Sequence, residues 1–226
     1  MAFRFPGGEE RDEAAGLRIW DEDGMMRLQA ACQTESAYAS LMERCLPGTA
    51  PGLVLPEPEQ DQVVAGLLAR LWAQPHDATR FARSPRCARP GADEFEKVPA
   101  AAAAERIDPG LAKAGIALLR KLPQTADSQV LLATDLRVTT SSPSSGNRGW
   151  SSTPSPYVGD PAYDLLQHVR NCEGRLAADP AGLANRMAAP AGIDAHRARQ
   201  WLFARSVQES IGSPLMCQVA ARLAPA

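Results

Sequence analysis

The sequence lacks the features that would place the chain in a membrane or on nucleic acid. No apolar run approaches the ~20 residues that a membrane-spanning helix needs. Residues 1–10 do not join a basic segment to an apolar one, as a secretory signal does. The net charge of -2 gives no electrostatic reason to expect nucleic acid or a membrane surface as a partner. Since 226 residues can bury a core, we expect one large domain or two small lobes.

Cysteine and histidine are sparse, which argues against a metal centre. The five cysteines form no Cys-x-x-Cys pair and no cluster with the three histidines, so no zinc site is predicted. Scattered thiols fit a reducing cytoplasm, and we expect them to be small buried side chains rather than reactive groups. The sequence also contains no Gly-x-Gly-x-x-Gly and no Walker-type Gly-Lys-Ser/Thr phosphate loop.

What is present is a pattern of short strands followed by helices. Asp108-Pro109 and Asp160-Pro161 mark helix starts, because a capping Asp before a proline at the first helical position favours a helix. Trp20, Trp72 and Trp201 follow the apolar spacing of predicted helices and are expected in the core. Strands are predicted at residues 3–5, 26–32, 38–42 and 130–132, and helices at residues 9–20, 56–72, 93–105, 109–122, 162–171, 180–188, 195–209 and 214–223.

Two islands of sequence carry a resemblance to a known family. One is Thr134-Asp135-Leu136, and the other is the segment YVGDPAYDLLQH, which begins 22 residues after Asp135. Together they resemble the catalytic half of the aminoglycoside/hydroxyurea antibiotic resistance kinases, of the streptomycin 6-phosphotransferase type. The resemblance covers about residues 6–226 and is interrupted at residues 82–91 and 138–156.

The resemblance implies an α+β, protein-kinase-like fold with a truncated first lobe. Residues 1–46 would be the remnant of the N-lobe and residues 47–56 the hinge. Residues 57–226 would be a mainly helical C-lobe with its catalytic region at 130–164. The resemblance also implies ATP and Mg²⁺ as cofactors, and transfer of the γ-phosphate to an alcohol group of an aminoglycoside, or to hydroxyurea. It implies no oligomeric state.

The residues of the reaction are implied by matching positions. Asp135 takes the place of the catalytic base, which orients the attacking hydroxyl and accepts its proton. The two family positions that bind magnesium, an Asn and an Asp, fall on Thr140 and Thr153. A threonine hydroxyl carries no charge, whereas Mg²⁺ is usually held through one or two carboxylates. The family thus implies the metal, but no metal ligand is assigned in this chain.

The nucleotide site is implied only in part. Glu13 resembles the helix glutamate that pairs with the nucleotide lysine, and Leu46 and Gly48 resemble the hinge that receives adenine through backbone groups. The lysine itself would precede Phe3, where this chain begins with Met-Ala. Asp164 resembles an aspartate that steadies the catalytic loop by hydrogen bonds.

Residues 82–91 and 138–156 keep the expected length but lose the family's sequence. Both are rich in Ser, Pro, Arg and Gly, which is typical of GC-rich DNA read out of frame. One choice of codons for residues 138–157, read two bases further on, yields a family-like loop with both metal ligands restored. We therefore hypothesise that paired insertions and deletions, in the gene or in its sequencing, scrambled both segments. Resequencing the gene tests this hypothesis.

Three functional hypotheses stay open. The first is an antibiotic-resistance phosphotransferase with impaired activity. The second is a catalytically dead remnant with at most ligand binding, because the phosphate loop, lysine and metal ligands supply most of the electrostatic stabilisation of the reaction. The third is a helical interaction protein, for which there is no positive signal. Glu209 is interpreted as a surface or hydrogen-bonding residue, or as one that meets a cationic drug. No strand pair is expected in residues 138–156.

Overall fold

The structure, a computed structural model, consists of two units. The first comprises Met1–Ala82 with Val130–Val158, and the second Arg83–Gln129 with Gly159–Ala226. No helix in the described part of the chain is long and apolar enough to cross a membrane. The described residues are 2–4, 10–21, 23–34, 38–44, 55–77, 81, 92–93, 95–97, 106–134 and 155–225.

The first unit is built from strands and two helices. Its elements are β1 (Ala2–Arg4), α1 (Glu10–Trp20), β2 (Leu28–Gln33), β3 (Tyr38–Met42), α2 (Glu57–Ala73), β4 (Val130–Leu132) and β5 (Tyr157–Gly159). The first three strands form an antiparallel sheet of order β1-β3-β2, whereas β4 pairs with β5. The predicted lobe boundaries and the hinge at 47–56 stay predictions, since residues 45–54 lie outside the described residues.

The core of the first unit joins α1, α2 and β4. Leu17 and Trp20 of α1 are fully buried, and so are the inward side chains of α2 and both leucines of β4. Gly24, which follows α1, has a φ of +106°, and a Cβ there would lie 2.6 Å from Leu67 Cδ1. Glycine is the residue that fits this position, because it alone tolerates both the positive φ and the close approach of α2.

The second unit is helical, and five of the six helices named next begin at a capping Asp or Ser. The exception is the helix that begins at Glu173, which has no side-chain cap. They are α3 (Pro109–Lys121), α4 (Pro161–Asn171), α5 (Glu173–Ala178), α6 (Pro180–Ala188), α7 (Ala195–Glu209) and α8 (Pro214–Arg222). In α3, the Asp108 carboxylate accepts from the N–H groups of Gly110 and Leu111 at 2.8 and 3.0 Å. The same Asp-Pro pattern starts α4 and α6, and Ser-Pro starts α8. These caps satisfy N–H groups that a helix start would otherwise leave without partners.

The helices α3 and α7 approach each other closely at Gly115. A Cβ at Gly115 would lie 2.5 Å from both Cβ and Cγ2 of Val207. Around this crossing, one apolar cluster includes Phe95, Ile107 and Phe203. The missing side chain of Gly115 therefore sets the distance between the two helices at the core of the second unit.

We expect Gly115→Ala to lower the free energy of unfolding by about 1–3 kcal/mol, because the added methyl overlaps Val207 and forces the helices apart. The matched control is Gly66→Ala in the middle of α2, where an added Cβ meets no atom within 4 Å. Alanine should stabilise that helix by about 0.5–1 kcal/mol. Urea denaturation of both variants measures the difference, and equal effects of the same sign would contradict the close packing of α3 on α7.

Most predicted elements are confirmed, with specific exceptions. The strand β5 and the helix α5 were not predicted. Trp72 is half-buried rather than in the core like Trp20 and Trp201. The expectation of buried thiols is wrong for the described cysteines: Cys32 is exposed, whereas Cys172 and Cys217 are half-buried. The helix predicted at 93–105 is described only in part, and the prediction for residues 138–156 concerns residues of which only 155 and 156 are described.

Candidate active site

The structure describes one of the six residues that the sequence singled out for catalysis or cofactor binding. That residue is Glu13 in α1. The other five lie outside the described residues: Leu46, Gly48, Asp135, Thr140 and Thr153. The described residues on both sides of residues 135–154 do show how the ends of that segment are held.

The two ends of this segment are fastened to each other within the first unit. The strands β4 and β5 pair, and beyond them the Ser155 N–H donates to the Ala133 carbonyl oxygen at 3.1 Å. The Thr134 hydroxyl donates to the Ser155 carbonyl oxygen at 2.5 Å. Asp135 is the next residue after Thr134, and Thr153 lies two residues before Ser155. Hydrogen bonds between the flanking residues therefore hold the two ends of the candidate catalytic segment together.

Thr134 adopts a conformation that is costly for its residue type. Its φ is +55°, in the left-handed region, although threonine is branched at Cβ and buried here. Such strain persists where the surroundings hold the residue in place, and it concentrates at functional sites. Here the hydrogen bond to Ser155 supplies that constraint. Sequence reasoning did not single out Thr134 itself, since neither its φ nor its partner can be read from composition or periodicity.

Glu13 is buried in α1, with 2% of its surface exposed. A carboxylate at this depth needs polar compensation, and Glu13 is not an isolated charge. The same helix lies close to the residues that follow the catalytic segment, since a Cβ on Gly16 would lie 3.0 Å from the Pro156 side chain. The structure thus packs the helix that carries Glu13 against the end of the segment that begins with Asp135.

Asp164 and His168 lie one turn apart on α4 in the second unit, and both are buried. The aspartate was expected to steady the catalytic loop, and its 1% exposure fits an internal rather than a solvated role. His168 has 2% of its surface exposed. His76 is half-buried and His196 exposed.

Asp160 caps α4, as predicted, and it also does more. Its Oδ1 accepts from the Ala162 N–H at 3.0 Å. Its Oδ2 accepts from Arg197 Nε at 2.7 Å and from the indole N–H of Trp201 at 2.5 Å. Arg197 Nη2 also donates to the Leu122 carbonyl oxygen at 2.8 Å. One buried carboxylate therefore connects the end of α3, the start of α4 and the first turns of α7.

Glu209 at the end of α7 is held by two arginines. Arg170 Nη2 lies 2.6 Å from one carboxylate oxygen, and Arg205 Nη2 lies 2.9 Å from the other. Arg205 also donates to the Tyr163 hydroxyl, and its guanidinium carbon is 5.1 Å from the centre of that ring. The hydrogen-bonding interpretation of Glu209 is confirmed. Its charge is already balanced, so the geometry gives no support to its meeting a cationic drug.

The donors implied for the metal do not fit magnesium. Thr140 and Thr153 supply neutral hydroxyls, whereas Mg²⁺ prefers one or two carboxylates beside its waters. Within the described residues, no group of three His, Cys, Asp or Glu side chains is arranged to hold a metal ion.

A sequence model of one family matches nearly the whole chain. The model, described as aminoglycoside/hydroxyurea antibiotic resistance kinase, matches residues 4–212. No curated protein matches the chain in sequence.

Solved structures of small-molecule kinases share the fold at low identity. An aminoglycoside phosphotransferase from Streptomyces rimosus, solved in complex with ADP and streptomycin, is 17% identical with a TM-score of 0.57, covering 94% of this chain and 81% of its own. An ethanolamine kinase of Plasmodium vivax is 13% identical, with a TM-score of 0.55 and coverages of 98% and 73%. A choline kinase of Streptococcus pneumoniae is 10% identical, with a TM-score of 0.57 and coverages of 98% and 82%. The predicted kinase-like α+β fold is confirmed.

Proposed function

The chain belongs to the aminoglycoside/hydroxyurea antibiotic resistance kinase family, and we propose that it transfers the γ-phosphate of ATP to an alcohol group of an aminoglycoside. The match over residues 4–212 carries this proposal. The structure of the Streptomyces rimosus phosphotransferase with ADP and streptomycin supports a nucleotide and an aminoglycoside as the two ligands. Within this proposal hydroxyurea is the second acceptor to test.

Asp135 is the proposed catalytic base, which accepts the proton of the attacking hydroxyl while the phosphoryl group is transferred. Two observations support this role. Thr134, directly before Asp135, has a strained left-handed backbone, and its hydrogen bond to Ser155 holds the two ends of the segment together. Proton transfer requires the base to lie within hydrogen-bond reach of the attacking hydroxyl. Glu13, which is buried in α1, is the proposed carboxylate of the nucleotide site.

Turnover is proposed to be impaired. Most of the acceleration of phosphoryl transfer comes from positive charge around the phosphate oxygens. The positions that hold the metal in the family are Thr140 and Thr153, which bring no negative charge to bind it. The second candidate function follows from the same observation: a remnant that binds nucleotide or drug without turning them over.

Two measurements on the full chain separate these functions. Phosphate transfer from ATP to streptomycin or hydroxyurea is followed by mass spectrometry, and ligand binding by the shift in melting temperature. A ligand at 100 times its Kd stabilises the folded state by about 2.7 kcal/mol. Detectable phosphostreptomycin supports the transferase, and binding without product supports the remnant. No transfer together with no stabilisation by either ligand would reject both.

We also propose that the chain works in the cytoplasm without nucleic acid or membrane as a partner. Its described cysteines are free thiols, as in a reducing compartment. Its net charge is -2, which offers no general attraction for phosphate backbones or anionic lipids.

A further inference from the structure

A groove in the second unit has no part in the proposed phosphoryl transfer. It has a volume of about 470 Å³ and is lined by α3, α7 and the end of α8, with one residue of α6. Its apolar wall includes Leu118, Phe203 and Leu223. This volume lies within the range of about 300–1,000 Å³ that is typical of small-molecule sites. The groove can therefore bury the apolar body of a small ligand.

The charged side chains that line the groove are arginines, and His196 and Gln200 are its further polar groups. Arg199, His196 and Arg222 line it, and none of the described lining residues is an Asp or a Glu. Arg199 Nη1 donates to the amide oxygen of Asn185 at 2.6 Å. Because Asn185 is neutral, this hydrogen bond fixes the guanidinium without balancing its charge. Within the described part of the chain, Arg199 forms no salt bridge with a carboxylate.

Arg222 is oriented in a similar way. Its two terminal nitrogens donate to the carbonyl oxygens of Ala177 and Ala178, at the end of α5. The pKa of the neighbouring Asp179 carboxyl lies below its ordinary value. The main cause is the hydrogen bond from the Gly182 N–H, and the positive charges of Arg186 and Arg222 add to it, whereas desolvation acts in the opposite direction. Because Arg222 already interacts with the Asp179 carboxylate, Arg199 is the better placed of the two arginines to pair with an anionic ligand, and Arg222 adds positive charge nearby.

We propose that this groove binds a small organic carboxylate with an apolar body, such as a medium-chain fatty acid. The carboxylate pairs with Arg199, and the hydrocarbon chain packs against Leu118, Phe203 and Leu223. A guanidinium suits this head group because it presents several N–H donors in one plane. A nucleotide fits less well, since it is multiply charged and polar along its length, and a cationic aminoglycoside is repelled by the arginines.

The test is isothermal titration of the full chain, without ATP, using octanoate, octanol and octylamine. Octanoate should bind, octanol more weakly, and octylamine not at all. In the Arg199→Gln variant the affinity for octanoate should fall about ten- to a hundredfold, as expected for one charge-assisted hydrogen bond. Gln200→Glu, which adds a carboxylate to the lining without changing its size, should also weaken binding.

The control is Arg120→Gln on α3, an exposed arginine that pairs with Glu96 at 2.6 Å and does not line the groove. This variant should bind octanoate as the wild type does, and melting curves establish that all variants are folded. Equal affinity for octanol and octanoate, or unchanged octanoate affinity in both Arg199→Gln and Gln200→Glu, would overturn the proposal. So would a lack of octanoate binding at millimolar concentration. The measurement does not depend on kinase activity.

Discussion

Asp160→Ala is expected to lower the free energy of unfolding by about 3–5 kcal/mol, the typical cost of leaving one partner of a buried ion pair unpaired. Asp160 is 2% exposed, and the side chain of Arg197, which lies 2.6 Å away, is 17% exposed. The substitution removes the acceptor of the Arg197 guanidinium and of the Trp201 indole N–H, and it also removes the cap of α4. Urea denaturation measures the loss.

The matched control for this prediction is Asp194→Ala. Asp194 is also an aspartate that caps a helix of the second unit, since its carboxylate accepts from the Arg197 N–H at 2.7 Å, but it is exposed and has no buried cation as partner. Losing a cap alone costs about 1 kcal/mol. If both alanine variants lose the same stability, the connection of Asp160 to Arg197 and Trp201 contributes nothing.

A double substitution separates the ion pair from the cap. Arg197→Met keeps the apolar length of the side chain and removes its charge, so Asp160→Ala combined with Arg197→Met leaves no buried cation without a partner. The double variant should then be less destabilised than the sum of the two single variants, because the two residues interact directly. Additive effects would show that Asp160 acts only as a cap.

Local features of the fold could be predicted from the sequence, because local chemistry decides them. The caps at Asp108 and Asp160 are followed by proline, and this pattern alone placed the starts of α3 and α4. The helix α5 was missed because its six residues are too few to show an apolar period. Cys32 was expected to be buried, but the exposure of a strand residue depends on which face of the sheet is covered, and other segments decide that.

Long-range features of the candidate site could not be predicted. Trp201 and Arg197 meet Asp160 over 41 and 37 residues of sequence, and no periodicity reports such a contact. The left-handed Thr134 was equally hidden, since its hydrogen bond to Ser155 spans 21 residues. The resemblance predicted the family and the role of Asp135 from the order of residues along the chain. It could not predict which side chains are buried or which partners they contact, because tertiary packing decides both.

The largest effect on activity is expected from restoring the charge at the metal positions. Thr140→Asn together with Thr153→Asp should raise phosphate transfer to streptomycin on the order of 100-fold, comparable with the effect of one strong electrostatic group in an active site. The new aspartate supplies the carboxylate that Mg²⁺ requires. A second readout does not depend on turnover: ATP should raise the melting temperature of this variant more with Mg²⁺ than without it.

The matched control for these substitutions is Thr139→Asn with Ser152→Asp, which introduces the same two residues and the same charge one position away. It should leave both the rate and the magnesium dependence of the ATP effect at the wild-type level, because the added carboxylate is not at the family's metal position. Adding Asp135→Asn to the restored variant should remove the gain in rate but keep the magnesium-dependent stabilisation, since the base accepts a proton and general bases contribute about 10²–10⁴-fold. Equal gains in the restored variant and its control would show that Thr140 and Thr153 are not the metal positions. A wild-type chain already stabilised by ATP in a magnesium-dependent way would show that those threonines do not limit it.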